Sequence, residues 1–327
     1  MHTSAAVRHH ATAARHDARM PELFPVREAV VPAERSAHYR ARAAGELLRL
    51  APGVAVRLSE WRELGAREQY LAVIRAALTR TAKPLALSHA SAAAVWGLPW
   101  LGPWPDRVHA VSLVGRASST VSIQMHAGPP RSHEAVDGFP VVDLACCAVQ
   151  VAASQPLELG LIVADAALAR VRMEELLAEA DRLALRRGSA RARLALDLAD
   201  GRSGSPGESV SRATMHRLGV PMPSLQHRFP RRGGGWWFVD FYWEQFNLVG
   251  EFDGLGKYRR AEWRNGRSAE QVVIDEKLRE DELRALGPRV VRWGWDIARS
   301  PRSLGALLAA AGLPTARVRP SRTPTYP

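Results

Sequence analysis

The sequence has almost no lysine. Of its 45 lysine and arginine side chains, only Lys83, Lys257 and Lys277 are lysine, and the rest are arginine. Cysteine is as scarce. Cys146 and Cys147 are adjacent, too close for an ordinary disulfide, and their setting VVDLACCAVQVAA reads as a buried helix. This excludes a disulfide-stapled secreted scaffold and points to a cytoplasmic protein. No apolar run reaches the length of a membrane span, and residues 1–20 lack the apolar core of a signal peptide. There is no Gly-rich phosphate loop, no H-E-x-x-H and no pair of cysteines at zinc spacing, which removes P-loop, zincin and zinc-finger chemistry. His89 and His109 have no partner at metal-ligand spacing and read as structural or surface residues.

What is present is a chain of 327 residues, 46% hydrophobic, with a formal net charge of +12. That length supports a buried core and two or three domains. The charge favours an anionic partner, nucleic acid foremost, although heavy arginine usage across a genome would give the same balance.

Residues 1–20 and 314–327 lack apolar periodicity and read as disordered tails. After Arg40 the chain reads as a helix end, a Pro52-Gly53 turn and a strand. A helix follows with Tyr70, Leu71, Ile74, Ala77 and Leu78 at helical spacing. A second helix has Ser88 as N-cap and Gly97 past its end. RVHAVSLV and TVSIQMHA read as strands, the latter with Val121, Ile123 and Met125 on one face. Helices are expected from Leu144 to about Ala153, from Leu157 to about Leu185, and over RRGSARARLALDLAD.

GRSGSPGES is the clearest boundary, a linker over 201–206 that runs into a helix start. Ser205 stands at the N-cap, Pro206 at the first helical position and Glu208 at the third, the pattern of a capping box. From 207 to 313 the order is helix, strands SLQHRF, WWFVDFY and NLVGEFD, a helix from about Ser268 to Ala285, the strand RVVRWGW and a closing helix. The expected class is α/β, α+β overall, with an αβββαβ core around a mixed sheet.

Three carboxylates interrupt the apolar strands of this core: Asp240, Glu251 and Asp253. Buried carboxylates need a partner, either arginine or metal. Glu251 and Asp253, two apart on one strand, should project from one face, and a hairpin would bring Asp240 beside them. Glu208 could complete the cluster. Such a set suits Mg²⁺, which takes hard oxygen ligands. Glu208 serves equally well as a capping glutamate alone, and Asp253-Gly254 as turn chemistry. Lys277 and Arg279, on the following helix, line the site or belong to a solvated face. Arg292 alternates with Val291 and Trp293, suited to a carboxylate or a phosphate. Six tryptophans between Trp236 and Trp295 read as core in preference to base-stacking platforms.

SPGES, VDFYW, VGEFDGLGKY and DEKLREDELRALGPRVVRWGW together resemble the very-short-patch-repair-like endonucleases of the PD-(D/E)XK superfamily, over roughly Ser205 to Trp295. The resemblance implies a Mg²⁺- or Mn²⁺-dependent endonuclease acting on DNA, with metal at Asp240 and Glu251 and Glu208 as the helix acid. Where the superfamily has Glu-X-Lys, this chain has Glu251-Phe252-Asp253. Asp253 would then be a further ligand, and Lys257 would supply the missing amine. Arginine cannot act as a base in its place. A nuclease fold retained as an inactive DNA-binding regulator is the alternative.

LLRLAPGVAV and SHASAAAVWGLP resemble AbiEi-type antitoxins, over about residues 40–145. Residues 21–60 are then a degenerate winged-helix-like segment and 61–200 a mixed α/β region ending in helices. No helix-turn-helix precedes Arg40, so this half reads as a scaffold or as the surface for a protein partner.

Overall fold

In the computed structural model, which describes residues 21–25, 40–41, 44–115, 117–128, 132–183, 187–254 and 269–315, the Pro52-Gly53 turn joins two strands. Gly53 has φ of 77°, and β2 (Leu47–Ala51) and β3 (Val54–Arg57) form an antiparallel hairpin, with β1 (Phe24–Pro25) on the far side of β3. A helix end was expected before that turn. The apolar, partly β-branched residues on either side of it pair more readily than they coil.

The chain is α+β and forms two compact units, Met1–Cys147 and Ala148–Pro327. In the first unit, α1 (Leu58–Glu63) is short, and α2 (Ala66–Leu78) buries Tyr70, Leu71, Ile74 and Ala77 as its spacing predicts. In α3 (His89–Trp96), Ser88 is the N-cap residue and Gly97 ends the helix in the left-handed conformation, φ 68°. A five-stranded sheet runs β6-β5-β4-β8-β7, built from β4 (Leu85–Leu87), β5 (Val108–Ser112), β6 (Ile123–His126), β7 (His133–Val136) and β8 (Phe139–Val142). Sequence reading finds only β5 and β6, because β4 is three residues long and β7 lacks apolar alternation. Val121 does not share a face with Ile123. The Thr120 N–H bonds to the Ile123 carbonyl at 2.8 Å, a turn that leaves Val121 exposed ahead of the strand.

The second unit holds α4 (Leu144–Ser154), within which the division falls, then α5 (Leu157–Ala167), α6 (Met173–Arg182) and α7 (Ser189–Leu198). The long helix expected from Leu157 is therefore two. Glu175 reaches back to the Arg172 backbone N–H at 3.2 Å, a helix-start contact that outweighs the unbroken apolar periodicity. Cys146 and Cys147 are both buried.

The αβββαβ order follows: α8 (Pro206–Arg217), β9 (Ser224–Pro230), β10 (Trp236–Trp243), β11 (Leu248–Phe252), α9 (Ala269–Ala285) and β12 (Arg289–Trp293), closed by α10 (Trp295–Ala298) and α11 (Pro301–Ala310). The sheet runs β12-β11-β10-β9. It is mixed, with β11 and β12 parallel and the other pairs antiparallel. Among the described residues no helix is long and apolar enough to cross a membrane.

α8 positions the site. It is polar in sequence, yet every residue from Gly207 to Met215 is buried. Each polar side chain has a partner, as burial requires. Ser211 Oγ donates to the Gly207 carbonyl and accepts from Trp293 Nε1, and Thr214 donates to the Ala298 carbonyl at 2.7 Å. Arg212 donates to Asp165 at 2.9 Å and to the Leu198 carbonyl. Asp165 accepts as well from Ser209 Oγ at 2.6 Å and from the Asp200 backbone N–H at 2.8 Å. Gly207 lets the helix approach the sheet, since a Cβ there would stand 1.9 Å from the Phe252 ring.

Asp165→Ala should destabilise the protein by about 3–5 kcal/mol, because it strands a buried guanidinium. Replacing both partners, Asp165→Leu with Arg212→Leu, should cost much less. Urea unfolding of the three proteins checks this, and equal losses in the single and double variants would refute it.

Candidate functional site

The β10–β11 hairpin sets Asp240 beside Glu251. Phe241 pairs with Gly250, so the next step along the antiparallel ladder puts the two carboxylates opposite each other on one face. The Phe252 backbone N–H donates to Asp240 Oδ2 at 2.8 Å and fixes that carboxylate. From the other side, β9 pairs with β10 in a register that places Gln226 opposite Asp240. Gln226 takes φ of 49°, an uncommon conformation for a residue with a side chain. Its Nε2 lies 3.4 Å from Asp240 Oδ1 and 3.3 Å from Glu208 Oε2, linking the strand acid to the helix acid.

Glu208 is buried at the start of α8. It accepts from the Gly204 backbone N–H and from Ser205 Oγ, both at 2.8 Å, while its own N–H donates to Ser205 Oγ at 3.3 Å. The Ser205 half of the expected capping box forms, while the Glu208 carboxylate reaches the Gly204 N–H, one residue ahead of the N-cap, and faces the acid cluster as well. Burial, then the nearby Asp240 charge, pushes its carboxyl up to about 7. Burial also raises Asp240, against the Phe252 hydrogen bond.

Glu251 is buried and doubly paired. Arg279 from α9 donates to Oε1 at 2.5 Å, and Arg292 from β12 donates to Oε2 at 2.8 Å. Arg279 also reaches the Phe238 carbonyl at 2.9 Å, and Arg292 lies 3.4 Å from Glu280. The structure thus brings Arg279 and Arg292 into the site by way of a carboxylate. Lys277 is exposed on α9 and stands outside it. Asp253 does not join the cluster as expected. β11 ends at Phe252, the Asp253 N–H bonds to the Trp293 carbonyl at 2.8 Å, and the side chain is exposed. Lys257 lies outside the described residues. Among the described residues no three carboxylates bring an oxygen each within 4.8 Å of one another, so Asp240, Glu251 and Asp253 do not form a closed metal cage. Sequence reading missed Gln226, although Gln226 and Asp240 lie equally far from Gly233 in the Gly-rich turn.

The tryptophans divide. Trp243 and Trp293 are core, whereas Trp236 and Phe238 are half exposed on β10. The Arg228 guanidinium lies 4.7 Å from the Trp236 ring centre, and that of Arg231 lies 4.5 Å from Trp237.

A second cluster lies in the first unit. His89, His109 and His126 bring ring nitrogens within 4.8 Å of one another. His89 and His109, without a partner at metal-ligand spacing in the sequence, thus stand beside a third histidine in the fold. That neighbour is His126, and a chain crossover rather than a short spacing supplies it. Burial pushes His89 down to about 2 and His109 to about 4, and lowers His126 too.

No protein-family model matches the chain. Two curated proteins do: uncharacterized protein MT2308 of Mycobacterium tuberculosis strain CDC 1551 / Oshkosh and uncharacterized protein Rv2248 of strain ATCC 25618 / H37Rv. Each is 32% identical over 211 residues, covering 62% of this chain and 72% of the relative. The chain belongs to their family. The crystal structure of the RV2827C protein from Mycobacterium tuberculosis matches 66% of this chain and 86% of its own, at 20% identity and a TM-score of 0.35.

The charge balance around the acids decides what they can do. Glu251 has two guanidinium partners, but Glu208 and Asp240 have mainly dipoles, and burial makes their negative charge costly. A divalent cation would relieve that cost, and hard carboxylate oxygens are the donors that Mg²⁺ and Mn²⁺ accept.

Glu208 also gives stability a pH dependence. Its carboxyl, about 7 in the folded protein against an ordinary 4.5, holds a proton that the unfolded chain releases. Between those values the folded state binds more protons, so this contribution is greatest below pH 4.5 and falls as pH rises to 7. Glu208→Gln, which stays neutral, should flatten that part of the curve of chemical-denaturation stability against pH. An unchanged slope would remove Glu208 as its source.

Proposed function

We propose that the αβββαβ part of the second unit is a metal-dependent endonuclease acting on DNA. The observation that carries this reading is the cross-strand pair of half-buried Asp240 and buried Glu251, with Glu208 and Gln226 completing it and two arginines at its edge. A structural ion pair needs one acid; two strand acids side by side, with a third from the helix linked to them through Gln226, is an arrangement that costs stability and supports a functional reading.

Asp240 and Glu251 would hold Mg²⁺ or Mn²⁺, with Glu208 behind them. The ion, when bound, would polarise the phosphodiester and offset charge on the leaving oxygen. The chain's own residues prepare the rest. Gln226 and the Phe252 N–H fix the orientation of Asp240. Glu208, with its carboxyl near 7, can exchange a proton at neutral pH. Arg279 and Arg292 hold Glu251 in place and set positive charge where a phosphate would approach. Trp236 and Phe238, exposed among arginines, offer apolar faces for bases beside the site.

A second reading has one specific observation in its favour. Both oxygens of Glu251 are already taken by guanidinium groups, so a cation must compete for them. In an inactive, DNA-binding regulator this cluster would simply be a structural ion-pair network.

Supercoiled plasmid nicking separates the two. The expected result is Mg²⁺- or Mn²⁺-dependent nicking, abolished by EDTA and reduced at least about 100-fold in an Asp240→Asn/Glu251→Gln variant, the scale of losing charge stabilisation at a reacting centre. DNA binding without any cutting would favour the regulator. Equal cutting by variant and wild type would place the activity elsewhere.

A further inference from the structure

We propose that His89, His109 and His126 form a binding site for a d-block divalent cation, zinc foremost, in the first unit. The site is independent of the carboxylate cluster and of the nuclease reading.

Three elements deliver the ligands. His89 opens α3, His109 lies on β5 and His126 ends β6. β5 and β6 are parallel, with His109 opposite Gln124 and Val111 opposite His126. The two histidines are therefore diagonal neighbours on one face of the sheet. His126 Nε2 lies 3.0 Å from His109 Nδ1. Two nitrogens on a tetrahedral zinc, each about 2.0–2.1 Å from the ion, stand about 3.3–3.4 Å apart, so a few tenths of an ångström separate the observed pair from a ligand edge. The His89 ring stacks on His126 with centroids 3.7 Å apart and planes at 20°, and is tilted by 51° to His109. Coordination requires that stack to open by ring rotation.

The chemistry selects the ion. The set is three imidazoles with no carboxylate, which suits zinc, copper or nickel and not magnesium or calcium. Neutral imidazole is the ligand form. Ser88 Oγ, 3.1 Å from His89 Nδ1, supplies the orienting contact that metal-bound histidines usually have. Arg107, the nearby cation, donates to the carbonyls of Thr120 and Ile123 at 2.9 and 3.1 Å. All three histidines are half buried, so an ion can enter, and three protein ligands leave a fourth position open.

The test uses the full chain, purified without a histidine tag and stripped with a chelator. Zinc is titrated calorimetrically into wild type, His126→Gln, and a control with His9→Ala and His10→Ala in the histidine-rich N-terminus. One equivalent should bind to wild type and to the control, and affinity should fall more than about 100-fold in His126→Gln, beyond the loss from removing an outer-shell partner. Long-range ¹H–¹⁵N spectra of the imidazoles in the wild type give an arm that needs no variant, and His89, His109 and His126 should shift together on adding zinc. The proposal is overturned if wild type binds no zinc, if binding survives in His126→Gln, if it is lost with His9 and His10, or if those three imidazoles do not respond.

Discussion

Arg212 sits in the middle of a helix that is buried from Gly207 to Met215, and Asp165 is the anion that makes this burial possible. An arginine in such a place would otherwise require water. Asp165 comes from α5, ahead of the Gly- and Ser-rich stretch, and it gathers Ser209, Arg212 and the Asp200 N–H at one carboxylate. Burial raises the Asp165 carboxyl, although Arg212 draws it down. The pair therefore adds little net stability for its size, yet removing one partner leaves the other exposed to the full desolvation penalty. Its product is position. α8 can lie only where Arg212 meets Asp165 and Gly207 meets Phe252, and that fixes Glu208 against the sheet.

The sheet supplies the other half of the arrangement through register. Antiparallel pairing of β9 with β10 and of β10 with β11 places Gln226, Asp240 and Glu251 side by side on adjacent strands. Slippage by one residue would turn each of them to the opposite face. Trp293 and Phe241, stacked with centroids 5.4 Å apart, hold that register from the core side. The left-handed backbone at Gln226 shows where the cost falls. The residue leaves its preferred conformation to bridge two acids, and strain of this kind persists where surrounding structure over-determines it.

Much of this was legible in the chain. The capping signature of Ser205, Pro206 and Glu208, the αβββαβ order, and the adjacency of Asp240 and Glu251 follow from local chemistry and period-two alternation. What escaped was set by tertiary partners. Asp253 has the spacing of a ligand, but the strand stops one residue before it. Arg279 looks like any arginine on a solvated helix until Glu251 is placed beneath it. Asp165 sits in an apolar helix where sequence reading passes over it, because its partner is 47 residues away. His109 and His126 are 17 residues apart and meet because β5 and β6 run parallel, a pairing that requires a crossover and leaves no short-range signal.

The shortage of lysine gives the two clusters different chemical reach. Arginine is always charged, so Arg279 and Arg292 can hold Glu251 or a phosphate but cannot accept a proton. Proton exchange near neutral pH in the carboxylate cluster must then come from an acid whose environment has raised it, and Glu208 is such a group. In the histidine cluster the same burial acts in the opposite sense and lowers the imidazoles. One physical cause, desolvation, thus raises a carboxyl in one unit and lowers imidazoles in the other. The donor atoms, hard oxygen in one and borderline nitrogen in the other, separate the cations that each can hold.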